Sequence, residues 1–211
     1  MPKLVDPTRA NLGTTEPCHA TDPRGPGSAN RINPKPPWRV VDGVLVQVNT
    51  SPGGVPKRPV RQAAIRASGV EGDKQADRRY HGGPLQAICL FDVETLETLA
   101  SEGYPVVAGS LGENFTTRGL DYKAVRLGDV YRVGDETTIQ VTKPRAPCTT
   151  IQVYGEGIIK RLWGPKVPWG ESGFYARVVT EGVVRPGDVV SLEREGPEAP
   201  PAFTRNLKLD A

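Results

Sequence analysis

Glycine and proline limit this chain more than any other feature: 24 glycines and 21 prolines make up more than a fifth of its 211 residues. Proline fixes φ and lacks an amide donor, and glycine loosens the backbone, so short strands joined by turns are favoured over long helices. Residues 40–48 are β-branched and alternate, which predicts a strand with Val44, Val46 and Val48 on one face. Residues 61–67, 86–91, 174–180 and 188–193 read as further strands, and 125–142 as a meander punctuated by Gly-Asp turns. Residues 92–103 form the clearest helix pattern: Asp92 caps it, Val93, Leu96, Leu99 and Ala100 make an apolar stripe, and Gly103 ends it. A second, short helix is expected within 155–163. Eight or nine short strands with so little helix point to a mostly β fold, a closed or nearly closed barrel, because closure leaves the fewest free edges.

The organisation reads as a Pro-rich N-terminal arm (1–37, with eight of the prolines), one barrel domain (38–195) and a Pro-rich tail (196–211). No apolar run reaches the length of a membrane span, and the N-terminus has no secretory h-region. The three cysteines, Cys18, Cys89 and Cys148, are widely spaced and form no CxxC pair. That fits neither a disulfide framework, nor a structural zinc site, nor a four-thiolate iron–sulfur cluster. A cytoplasmic protein is expected. A net charge of +3 is too small to imply nucleic acid, but it suits a small anionic ligand such as a phosphate.

Chemistry concentrates at Lys143-Pro-Arg-Ala-Pro-Cys148. Two prolines end the preceding strand, and fixed positive charge beside a thiol favours the thiolate, the form that attacks or binds metal. A small buried core cysteine is the plain alternative. Three loops accompany it. Asn49-Thr-Ser-Pro-Gly-Gly-Val-Pro-Lys57 lets backbone amides approach an anion, or is simply a hairpin connection. Asp73 to Pro84 gathers Asp77, Arg78, Arg79 and His81 on an irregular, polar stretch. Gly109-Ser-Leu-Gly-Glu113-Asn114 leads into a strand, its two polar residues either satisfying a bend or facing a cavity. Cys18-His19 in the arm is most simply a chance adjacency.

The ordered set Gly69-x-x-Gly-Asp73, His81-Gly-Gly-Pro84, Gly109-x-Leu-Gly-Glu-Asn114, Arg126-Leu-Gly-Asp129 and Pro147-Cys148 resembles MOSC proteins. These are named after the C-terminal part of the molybdenum-cofactor sulfurase, and the likeness is to their stand-alone bacterial subgroup. It covers about residues 40–194. It implies a β-barrel that binds a molybdenum–pterin cofactor, with Cys148 as catalytic metal ligand and with Asn114, His81 and Lys57 at the cofactor. Arg78, Arg79, Lys143 and Arg145 are candidates for its phosphate, a group that needs cations and backbone amides. Several relatives carry an arginine directly before the cysteine; Pro147 stands there in this chain, and Arg145 lies two residues further back.

The resemblance further implies reduction of N-hydroxylated compounds of the hydroxylaminopurine or amidoxime type. Molybdenum takes soft sulfur, which suits a thiolate. The chain has neither an iron–sulfur ligand set nor a βαβ GxGxxG, so electrons are expected from a separate donor protein. No pyridoxal phosphate, nucleic acid or membrane partner is expected, and a homodimer is compatible with the chain. The alternatives are a sulfur carrier with a Cys148 persulfide for metal–sulfur cofactor maturation, and a non-enzymatic module binding a phosphorylated ligand.

Overall fold

The computed structural model describes residues 42–75 and 82–197. The arm and nearly all of the tail lie outside them, as do Asp77, Arg78, Arg79 and His81. In chain order the elements are β1 (Asp42–Thr50), β2 (Arg58–Val60), β3 (Ala63–Arg66), β4 (Gly69–Val70), β5 (Ile88–Asp92), α1 (Val93–Ser101), β6 (Phe115–Arg118), β7 (Val130–Val133), β8 (Thr137–Pro144), α2 (Ile158–Leu162), β9 (Phe174–Thr180), β10 (Gly182–Val184) and β11 (Val189–Arg194). Short 3-10 helices occupy Pro84–Gln86 and Thr149–Tyr154.

Seven strands run β11-β7-β8-β9-β5-β6-β1, and β1 pairs back onto β11, with Val44 opposite Val189, to close the barrel. Closure satisfies edge amides and carbonyls that would otherwise invite another chain. Neighbouring strands are antiparallel except β5 and β6, where Leu90 faces Phe115 in a parallel pair. A parallel pair needs a crossover, and α1 belongs to it. Asp92 caps α1 by accepting from the Thr95 amide and hydroxyl, both at 2.9 Å. Leu96 and Leu99 are buried while Ala100 is exposed, so the apolar stripe is narrower than the sequence suggests. β10, β3 and β4 form a separate small sheet.

Alternation along the strands fills the barrel. Leu45, Ile88, Leu90, Phe115, Ile139, Val141, Phe174 and Ala176 belong to one buried cluster. A second cluster lies outside the wall, where Phe91 meets Leu96 and Leu99 of α1 and Ile158 and Leu162 of α2. Strand β5 is therefore buried along its whole length: Ile88 and Leu90 point inward, while Phe91 points outward under the helices.

In β1 the expected face is corrected. Val44 and Val46 are 42% and 38% exposed, whereas Leu45 and Val48 are fully buried. The register against β6 shifts between Leu45 and Gln47. One extra residue at such a bulge reverses the alternation, so the inward positions are three apart instead of two.

Candidate active site

The outer wall of the barrel that carries Phe91 also carries Cys89, directly opposite Tyr175 on β9, which in turn faces Lys143 on β8. Cys89 and Tyr175 form the floor of an open cleft. Three loops wall it: Gly54 to Lys57, Leu111 to Asn114, and Arg145 to Thr150. Gln75 and Gly82, the described residues nearest the polar loop, also line it. Four residues singled out from the sequence, Lys57, Asn114, Arg145 and Cys148, thus come to one place from positions up to 91 residues apart. Arg78, Arg79 and His81 lie outside the described residues.

Cys148 takes an extended backbone (φ −96°, ψ 169°) ahead of the 3-10 turn at Thr149. β8 ends at Pro144, and the thiol is left half-buried at the cleft. This is not the sealed core position of an inert cysteine.

Arg145 is 4% exposed. Its amide donates to the Gly173 carbonyl at 2.9 Å, and its Nη2 and Nη1 donate to the Leu111 and Ser172 carbonyls at 2.5 and 3.5 Å. The guanidinium lies 5.9 Å from the Phe91 ring centre. Among the described residues no carboxylate pairs with it within 4.0 Å. A buried cation so placed favours an anion in the cleft.

Lys57 is placed differently. Its Nζ sits 2.5 Å from Asp73 Oδ2, and both side chains are under 10% exposed. Asp73 also accepts from Asn114 Nδ2 at 2.9 Å and, through Oδ1, from the Ser51 amide at 2.9 Å. Lys57 therefore reaches the cleft as half of an ion pair, and its charge is already answered. Asn114 completes the cluster: its Oδ1 accepts from the Cys89 amide at 3.2 Å and its Nδ2 also donates to the Asn49 carbonyl at 3.2 Å. Both readings left open for Asn114 hold, since it satisfies a bend and lines the cleft. Lys143 is not among the lining residues; its Nζ stands 5.6 Å from the Tyr175 ring centre, and partial burial lowers its pKa.

Glu113 serves the bend. It is fully buried; its Oε1 accepts from the Gly109 amide and from Thr116 Oγ1, and its Oε2 has no hydrogen-bond partner. Burial raises its carboxyl, partly offset by the Gly109 amide and the charge of Arg145. Gly109 must be glycine: its φ is +90°, and a Cβ would strike the Lys57 carbonyl oxygen. That carbon-free contact lets the Lys57 amide donate to the Gly109 carbonyl at 2.9 Å and joins two walls of the cleft.

The floor itself escaped the sequence reading. Burial pushes the Cys89 thiol up from the usual 9.0 to about 11 and raises the Tyr175 hydroxyl well above its usual value, so both keep their protons at neutral pH. Strand alternation is the signal that would have found them: Cys89 and Tyr175 each stand between core residues, and so must face outward.

The MOSC domain family model matches residues 77–191. The chain is 35% identical over 167 residues to the protein YflK of Bacillus subtilis, covering 77% of this chain and 71% of that one. It is 30% identical over 139 residues to a protein of Gibberella moniliformis named a reductase, covering 63% of this chain but only 24% of the relative. The fold is similar to the crystal structure of YiiM from Geobacillus stearothermophilus, with a TM-score of 0.59 and 30% identity over 72% of this chain and 75% of that one.

Proposed function

The chain belongs to the MOSC domain family, and we propose that it holds a molybdenum–pterin cofactor in the cleft at Cys148 and reduces N-hydroxylated compounds there. The observation that carries this reading is the pairing of a half-buried thiol with a buried guanidinium that has no carboxylate partner among the described residues. Cys148 would hold the metal through its sulfur, and Arg145 would meet an anionic terminus of the cofactor. Asn114 and the Lys57–Asp73 pair offer fixed polar atoms beside them. When bound, the cofactor supplies the two-electron chemistry.

The remaining steps fall to the chain. Converting R–NHOH to R–NH2 and water consumes two electrons and two protons. The electrons come from a separate donor protein. Tyr175, whose buried hydroxyl remains protonated, holds a proton at the cleft floor, and the Arg145 contacts keep the walls in place.

The test is metal analysis of protein made in a host that synthesises the cofactor, with an assay on a hydroxylaminopurine and a reduced donor. Near-stoichiometric molybdenum that is lost in Cys148→Ser is expected. A wild-type protein free of molybdenum overturns the proposal, and a sulfur adduct on Cys148 in such protein would favour a persulfide carrier instead.

A further inference from the structure

Two walls of the cleft also have an outer side. Leu111 and Gly112 line the cleft from one wall, Cys148 and Thr150 from the other. A few residues away each wall turns a valine to solvent. Val107 is 70% exposed and Val153 74%, the highest values for large apolar side chains among the described residues. Their segments adjoin. Tyr104 and Ala108 from one, and Tyr154 and Ile159 from the other, pack on the same outer cluster. Gly155 approaches the Tyr104 ring so closely that a Cβ would lie 2.9 Å from its Cδ1. A lone exposed valine is ordinary. Two on adjoining segments at the rim of a cleft suit a contact surface.

This surface is close to the chemistry. Val153 follows Cys148 by five positions in the 3-10 turn, whose rise of about 2 Å per residue sets the two about 10 Å apart along it. The charge beside the valines is mainly positive. Arg58 and Lys160 are exposed and have no carboxylate partner within 4.0 Å among the described residues. Arg58 stands near Tyr154: burial raises that hydroxyl, and the Arg58 charge is among the influences that pull it back. Of the acids nearest in sequence, Glu102 is answered by Arg161, which leaves Glu156. Exposed Lys74 and buried Arg145 add positive charge at the cleft itself. Such a surface fits a protein with an apolar centre and an acidic rim.

We infer that the outer side of the cleft walls, centred on Val107 and Val153 with Arg58 and Lys160 at its margin, is the docking surface for a small acidic electron-carrier protein. The identity of the partner rests on the reductase reading of Cys148. Per turnover the carrier loses two electrons, and R–NHOH takes them up with two protons to give R–NH2 and water.

A flavodoxin and a plant-type [2Fe–2S] ferredoxin, both acidic, serve as probes, with a basic c-type cytochrome as the wrong-charge control. Binding is followed by NMR at the Val107 and Val153 amides of the full-length protein without cofactor, so the readout does not require molybdenum. Saturable shifts are expected with at least one acidic carrier and none with the cytochrome, and added salt should weaken the binding. Val107→Asp/Val153→Asp, at exposed positions that carry no packing, should weaken the carrier about tenfold or more, and Arg58→Glu about threefold. In the loaded enzyme the double variant should raise KM for the carrier about tenfold and leave turnover with reduced methyl viologen unchanged. No saturable shift with either carrier, an affinity that the aspartates leave unchanged, or a self-associated protein whose dimer the aspartates dissolve overturns the proposal. Carrier binding at the valines in a protein that takes up no molybdenum counts against the reductase reading and not against the surface.

Discussion

The inside and outside of the same barrel wall obey different rules. Inside, Ile88, Leu90, Phe115 and Phe174 pack within one buried apolar cluster, so another apolar residue of the right size would serve. Outside, neighbours on a single strand meet different fates: Phe91 lies under two helices, while Cys89 floors a polar cleft. Strand alternation decides which side a residue faces. What it meets on the outer side is decided by distant segments that fold over it.

Substitutions on the two sides should separate these rules. Phe115→Ala removes a fully buried ring from the interior and should cost about 3–5 kcal/mol. Denaturant titration would read this as a lower midpoint at an unchanged slope, and a loss under about 1 kcal/mol would mean that the interior is loosely packed. On the outer side, Asp73→Leu leaves Lys57 buried without its partner and should cost about 3 kcal/mol. Adding Lys57→Met should recover most of that loss, because the double variant leaves no unpaired charge. A double variant as weak as the single one would show that Asp73 acts through Ser51 and Asn114 and not through the ion pair.

The smallest effect concerns Glu113. Burial raises its carboxyl above the usual 4.5, so the folded state favours the proton. Its contribution is fully present below the unfolded value and is lost as pH rises towards the folded one. Glu113→Gln abolishes that loss. The stability of the variant relative to wild type should therefore improve between pH 4.5 and 7.5, by about 1.4 kcal/mol for every tenfold gap in proton affinity between the folded and unfolded chain. A difference that stays flat with pH would place the proton elsewhere.

Much of this was legible beforehand. The closed barrel follows from many short strands and little helix, and Asp92, Leu96 and Leu99 mark α1 in the sequence. Cys148, Asn114, Lys57 and Arg145 stand out in the sequence and meet at one cleft. What stayed hidden depended on pairing between remote strands. The bulge after Leu45 leaves no compositional trace, and it turned Val44 and Val46 outward. The Lys57–Asp73 pair spans sixteen positions and was invisible until two loops met. Cys89 and Tyr175 looked like ordinary strand residues because their role depends on which loops cross above them.

Arg145 has one more consequence. Its guanidinium holds two chain segments, at Leu111 and at Ser172, through their carbonyl oxygens. The cavity rim is thereby set before any guest arrives, so little ordering entropy remains to be lost on association. Replacing this one side chain should slow capture and hasten escape together, since the receptor would have to assemble itself around each visitor.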